Sequence, residues 1–499
     1  MINHLIFDNE ITLYWEKKWD SSESPTYKVF LDGKEVANAQ QTHCTIRGLS
    51  EKTTYSVSVK LISKTNEEII FNSQLTTSIK KKKIDITQSP YNAIGDGVTI
   101  NTVALQKAID DCGVDECVYI PKGVFLTGAL NLHSNMELYI EENSVLQGTS
   151  NLNDYTPKIK SRFEGIEMMC YRSLINMGEL DRDGGYTCEN VIIRGGGTIY
   201  GGGRELAENT IKFEKECLKD YLEQNADYVA TCENADTIPA RSRGRLINMS
   251  NCNNVVIGNV KLGFGPAWNV HMIYSSDIVT YGCTIHSKDI WNGDGWDPDS
   301  SENCTIFNCE FFTGDDAVAI KSGKNPEGNI INRPCKNIRV FDCISHFGHG
   351  ITIGSEMSGG VCNVRIWNCD LRRSKYGVQI KGTKKRGGFV KDIHVIDCEA
   401  PRILIQSVPY NDDGIPAPTP PIFEDCFFEN LKLTGVCLDE NCSYFYSNSI
   451  EISGFDIPKY FIKDIRFKNI TIDNTQNSNN CGIVLQHCVG IIFENINCK

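Results

Sequence analysis

The 499-residue sequence has no apolar run of membrane-spanning length, so no membrane partner is expected. Proline is scarce, at 16 residues, and long polar tracts are missing, which argues against extensive disorder. Positive charge is also in deficit: 63 acidic residues against 50 lysines and arginines leave a formal charge of -13. That balance disfavours nucleic acid as a partner, and any acidic ligand would need a local cationic pocket. The first residues, Met1 to Asp8, lack a basic segment followed by an apolar one. The expectation is a cytoplasmic protein, or a secreted one from which a leader has been removed. No CxxC pair stands with suitably spaced histidines, so neither a metal nor a cofactor is expected.

What is abundant is cysteine, with 22 residues, and glycine, with 42. Residues 1–80 alternate apolar and polar positions in short runs, and Asp32-Gly33 supplies a hairpin turn. Residues 44–49 and 54–59 resemble the last strands of a fibronectin type III module, so a small β-sandwich with no catalytic content is predicted for 1–80. Four lysines at 80–83 read as a solvated linker.

From residue 84 to 499 a different pattern holds. Asn or Asp opens a short alternating strand that closes on Cys, as in Asp277 to Cys283, Asn303 to Cys309, Asn337 to Cys343, Asn363 to Cys369 and Asp392 to Cys398. The starts are separated by 26, 34, 26 and 29 residues, one coil of a solenoid each. Alternation demands strands, and cyclic return demands that they stack in parallel. The predicted fold class is therefore all-β, a right-handed parallel β-helix preceded by a small β-sandwich. Asn at a coil corner tolerates a left-handed backbone. The cysteines would form an interior ladder of free thiols, which accounts for their spacing better than a disulfide framework. Residues 204–232 break the pattern as a helical insertion, and residues 102–112 have a helical period suited to capping the solenoid.

Four consecutive coils carry the polar residues most like an active site: Asp294, the pair Asp315 and Asp316, His349 and Lys381. Asp315 and His349 both lie 12 residues into their coils, which predicts that they share a face; Asp294 and Lys381 lie 17 and 18 residues in. Strands about 4.8 Å apart would bring the group into one patch. Like charges raise one another's pKa, so one carboxyl group can stay protonated as a general acid. Flanking glycines were expected to keep the surface open. Each acid taken alone is ordinary turn chemistry; the ordered set is not.

Asn292-Gly293-Asp294, Gly314-Asp315-Asp316, Gly348-His349-Gly350 and Gln379-Ile380-Lys381, in this order, resemble glycoside hydrolase family 28, the polygalacturonases. Ala93 to Gly97, Ala104 to Ile109 and Pro121 to Gly128 match the family's start. The resemblance implies an inverting hydrolase of pectin-type galacturonate, with an acidic oligo- or polysaccharide as its partner. It implies Asp315 as general acid, Asp294 and Asp316 as holders of the attacking water, His349 as tuner and Lys381 as carboxylate binder. Two positions depart from the pattern: Gly293 replaces Thr, and Gln379 replaces an Arg that Gln cannot mimic. Arg386 would then supply the missing charge, or the substrate is rhamnogalacturonan or another decorated pectin. Residues 354–360 and Arg386-Gly387-Gly388 resemble the exo-acting branch, and the helical insertion would close one end of the cleft. His271 reads either as a substrate contact or as a packed core histidine, and Trp268 as a sugar platform or core filler. Asp297 reads as structural. A pectate lyase and a non-catalytic carbohydrate-binding β-helix remain as alternatives.

Overall fold

The computed structural model describes residues 2–17, 25–63, 66–232, 234–410, 412–473 and 482–498. Two compact units emerge: Met1–Lys83 with Asp115–Cys117, and Ile84–Val114 with Val118–Lys499. In the first, strands Ile2–Ile6, Glu10–Trp15 and His43–Arg47 form an antiparallel sheet. A second antiparallel sheet joins Lys34–Ala39, Thr26–Leu31, Thr54–Ile62 and Glu67–Thr76. Alternate residues of both bury Leu13, Trp15, Tyr27, Val29, Val57 and Val59 in one core. The turn at Asp32 and Gly33 takes φ values of 49° and 80°, the left-handed pair that closes a tight hairpin.

The second unit is a right-handed parallel β-helix. Strands Ser276–Tyr281, Glu302–Phe307, Cys335–Phe341, Val361–Trp367 and Phe389–Ile396 stack in parallel, with Ile278, Cys304, Ile338, Val364 and Ile393 in line. The corner residues Asp277, Asn303, Asn337, Asn363 and Asp392 all have φ between 54° and 59°. A short polar side chain is what makes that conformation tolerable, and it also reaches the next coil. Asn254 Nδ2 donates to Asn190 Oδ1 at 2.7 Å, and Asn337 bonds Asn303 in the same way. One residue before each ladder cysteine a second left-handed row runs through Asn308, Asp342, Asn368 and Asp397.

Cys283, Cys309, Cys343, Cys369 and Cys398 are buried free thiols in that core. Cys283 N–H donates to Cys309 Sγ and Cys369 N–H to Cys398 Sγ, both at 3.4 Å, so each thiol fills space and accepts from the neighbouring coil. Helix Thr102–Asp110 turns Leu105, Ala108 and Ile109 into the same core. Helices Gly203–Cys217, Lys219–Gln224 and Ala226–Val229 occupy the insertion.

One sheet of 11 strands carries the chemistry. Its middle strands are Ile247–Ser250, Val270–Ile273, Trp296–Asp299, Val318–Ile320, Gly350–Ile353 and Gly377–Gly382. An antiparallel hairpin, Ile159–Phe163 with Ile166–Cys170, folds back over it. Arg162 Nη1 reaches Asp299 Oδ1 at 2.7 Å, and the Phe163 ring stacks on Trp268 with centroids 5.2 Å apart.

Candidate active site

Sheet register assembles the site. Trp296 pairs with Val318 and Val318 with Ile351, so Asp294, Asp316 and His349, each two residues earlier, fall in one line across three coils. The register therefore sets Asp316, not Asp315, opposite His349. Equal offsets from the coil start misled because the corners differ in length: Phe311 pairs with Ser345 but Phe312 with Phe347. Asp315 still meets the histidine from the turn. His349 Nδ1 lies 2.8 Å from Asp315 Oδ1 and 3.4 Å from Asp316 Oδ1. Lys381 Nζ is 3.6 Å from Asp316 Oδ2, and Thr352 Oγ1 donates to Asp316 Oδ1 at 2.6 Å. The side chains of Asp315 and His349 are 25% and 22% exposed, against 4% for both Asp294 and Asp316, so Asp315 is the carboxylate that faces outward.

Lys321 was missed from the sequence, although a charge directly after the buried run Ala317 to Ile320 is a signal. Its Nζ lies 2.9 Å from Asp294 Oδ2, 3.5 Å from Asp297 Oδ1 and 3.8 Å from Glu356 Oε2, and 4.2 Å from the centre of the Trp268 ring. It is the counter-ion of the buried acids.

The charges sort themselves unequally. Burial, reinforced by Asp315 and Asp316, pushes Asp294 up to about 7 against the pull of Lys321. Burial and then the Asp294 charge push Asp297 well above the carboxylate range, so it is a neutral acid beneath the row. Burial opposes ionisation of Asp315 too, but the His349 charge and hydrogen bond and the nearby lysines hold it well below that range. For Asp316, Lys381 outweighs burial in the same sense. His349 rises to about 10 against its own burial, because Asp315 and Asp316 stabilise the imidazolium. In the resting site the proton sits on His349 and the raised carboxyl is Asp294.

Four residues predicted to bind substrate are walled off. Trp268, His271, Gln379 and Arg386 are between 0% and 1% exposed, leaving no surface for a sugar. Trp268 lies under Phe163, and His271 sits edge-on to Trp268 with Nε2 3.4 Å from Asp299 Oδ2. Burial lowers the His271 pKa to about 3, so the ring is neutral. Arg386 Nε donates to Ser355 O at 2.8 Å and its Nη1 to Asn325 Oδ1 at 2.5 Å, which ties the two segments that resembled the exo-acting branch to each other. Of the predicted binders, Lys381 alone keeps an edge at the surface, at 8%.

The glycines also do something other than expected. At Gly293 a Cβ would stand 2.7 Å from Ile290 O and 2.8 Å from Ser287 O, and at Gly348 (φ 112°) it would stand 2.2 Å from Thr313 Oγ1. They let turns pack onto one another; they do not hold space open. Asp315, Asp316 and His349 are the one group of described residues with ligand atoms close enough to hold a metal, all within 4.8 Å. The imidazolium and Lys381 already neutralise that cluster, which disfavours a further cation.

The sequence model of glycosyl hydrolases family 28 matches residues 112–409, a span containing every one of these groups. The chain belongs to that family. An exo-poly-alpha-D-galacturonosidase from Dickeya chrysanthemi is 26% identical over 94% of this chain and 88% of its own length. A probable polygalacturonase from Vitis vinifera is 33% identical over 61% of this chain and 58% of its own. Among solved structures, an exopolygalacturonase from Thermotoga maritima superposes with a TM-score of 0.67 at 27% identity, covering 85% of this chain and 93% of that one. The family 28 exopolygalacturonase of Yersinia enterocolitica reaches 0.81 over 99% and 96% at 21% identity, a likeness of fold. Within the family, Gly293 in place of Thr follows from the crowded turn just described. Gln379 in place of Arg is a change at a position sealed from solvent.

Proposed function

We propose that the protein is an exo-acting, inverting polygalacturonase that hydrolyses α-1,4-linked galacturonate in oligogalacturonates or pectin. The observation that carries this reading is the line of Asp294, Asp316 and His349 across three coils, with Asp315 at its outer edge. Asp315 is the donor to the glycosidic oxygen, because it is the outward-facing carboxylate and shares a proton with His349 Nδ1. Asp316, held ionised by Lys381, takes the proton of the attacking water, and Asp294 holds that water from the adjacent coil. Coils one or two strand spacings apart give carboxyl separations of about 5–10 Å, a range that contains the ~6.5–9.5 Å of inverting glycosidases. Lys381 meets a galacturonate carboxylate.

Attack at a chain end is supported by the hairpin over Trp268, which bars the row one coil before Asp294. Helix Gly203–Cys217 stands behind that hairpin: Glu214 accepts from Lys158 Nζ at 2.8 Å and from Tyr171 at 2.7 Å. The names of the Dickeya and Thermotoga relatives point the same way. A decorated pectin was favoured by Gln379, and the burial of that side chain removes the argument. A time course of products from a galacturonate hexamer tests the proposal. Monomer alone or dimer alone is expected; an early mixture of lengths refutes end attack, and activity confined to rhamnogalacturonan refutes the substrate.

A further inference from the structure

Beside the acids, on the side closed by the hairpin, two arginines are buried without a counter-ion. Arg243 and Arg245 are 0% and 1% exposed, and neither forms an ion pair with a carboxylate among the described residues. Their neighbour Arg241 shows what satisfaction looks like in this chain. Its Nη2 meets Glu164 at 2.7 Å and its Nη1 meets Asp236 at 2.9 Å. Arg243 has only neutral acceptors: the carbonyls of Arg241, Pro266 and Trp291 and, at 2.5 Å, the Asn292 side chain. Arg245 uses a single donor, Nη1 to Arg243 O at 3.3 Å, while Nε and Nη2 are buried with no partner. Its guanidinium lies 5.4 Å from the Phe163 ring centre and 5.3 Å from that of Trp268. Leaving a buried guanidinium short of acceptors is among the costlier arrangements a fold can hold, and in a chain of net charge -13 carboxylates are not scarce.

Register says what the pair faces. Ile247 pairs with Val270 and Val270 with Trp296, so Arg245, Trp268 and Asp294 occupy one line on successive coils. Arg245 therefore stands two strand spacings, about 10 Å, from Asp294, which is roughly one sugar unit away. We propose that Arg243 and Arg245 are specificity-determining residues, the seat that reads the carboxylate of the terminal galacturonate on the blocked side of the cleavage point. The proposal deepens the polygalacturonase reading and rests on it. A planar carboxylate matches the guanidinium fork and supplies the acceptors that Arg245 lacks. Access runs through the turn at Trp291 and Asn292. Trp291 is 46% exposed and its ring lies 4.7 Å from the Arg243 guanidinium, so this turn is the cover that an entering carboxylate displaces.

The test compares Arg245→Gln with the parent on two trisaccharides, trigalacturonate and the same trimer methyl-esterified at the terminal sugar. The parent should favour the free acid by about 10²-fold or more in kcat/KM, a difference suited to a bidentate charge contact. The variant should lose that preference through KM on the acid while its kinetics on the ester stay put. An equal loss on both substrates would mark a structural role, and retained preference would exclude Arg245; either overturns the proposal. Should Arg245→Gln not fold, Arg245→Lys and a melting experiment with the parent replace it. Galacturonate should raise Tm where galactose does not, and the lysine variant should halve the shift or more; equal shifts with both sugars overturn the proposal. Failure of the parent to cleave trigalacturonate at all would instead refute the underlying polygalacturonase reading.

Discussion

Replacing Asp315 with Asn should do two things at once, and the structure sets the size of both. The His349 pKa of about 10 stands 3.5 units above the model value of 6.5, and the Asp315 charge is the largest influence raising it. At 1.36 kcal/mol per unit this is about 5 kcal/mol of preference for the imidazolium, gained in spite of burial. Asn keeps the shape and removes the charge, so His349 should fall back toward its ordinary range, Asp316 supplying what remains. Turnover should drop by about 10²–10⁴-fold, the usual worth of a positioned general acid, or ~3–5 kcal/mol in the barrier. The assays are release of reducing ends from trigalacturonate and imidazole NMR across pH 5–11, with His349→Gln to assign the resonance. Binding of the trimer should persist. Full turnover, or a His349 signal still titrating near 10, would refute the donor assignment and the coupling behind it.

The same groups set a pH dependence of stability. His349, raised in the fold to about 10, contributes stability that is complete below about 6.5 and lost as pH rises through 10. Asp294, raised to about 7, likewise favours the fold least once ionised, so urea midpoints should decline from pH 5 to pH 9. A flat or rising series would contradict both shifts. Lys321→Met strands Asp294, Asp297 and Glu356 around a missing cation and should cost about 3–5 kcal/mol in urea unfolding, with loss of turnover. An unchanged midpoint would show that Lys321 does not neutralise them. Replacing residues 160–169 by a short Gly-Ser turn should convert a single product into a mixture from the hexamer. Unchanged products would place the end wall elsewhere. Finally, activity should survive a chelator with no unsaturated product absorbance at 235 nm (~, the usual enoate band); calcium-dependent eliminative cleavage would point to a lyase.

How much of this was legible beforehand depends on the range of the interaction. The corner asparagines, the cysteine ladder and the coil spacing are properties of one repeat read against the next, so local alternation and left-handed tolerance announce the solenoid. The acids were legible too, because each sits in a turn at the same edge of consecutive coils. The line that Asp294 and Asp316 form with His349 was not, since a bulge at Phe312 shifts the register by amounts that no offset count contains. Lys321 looked like any lysine until sheet pairing set it beside Asp294. The misreading of Trp268, His271, Gln379 and Arg386 as substrate contacts has one cause. Periodicity shows that a side chain points away from the core but not what comes to lie on top of it. That is decided by contacts such as Arg162 with Asp299, 137 residues apart, and by a hairpin whose own sequence carries no repeat. The sequence by itself determined the coil, its corners and the chemical inventory. Tertiary structure alone decided which of those groups meet, which are sealed, and where a charge is left without its partner, because desolvation and pairing exist only between residues that folding brings together.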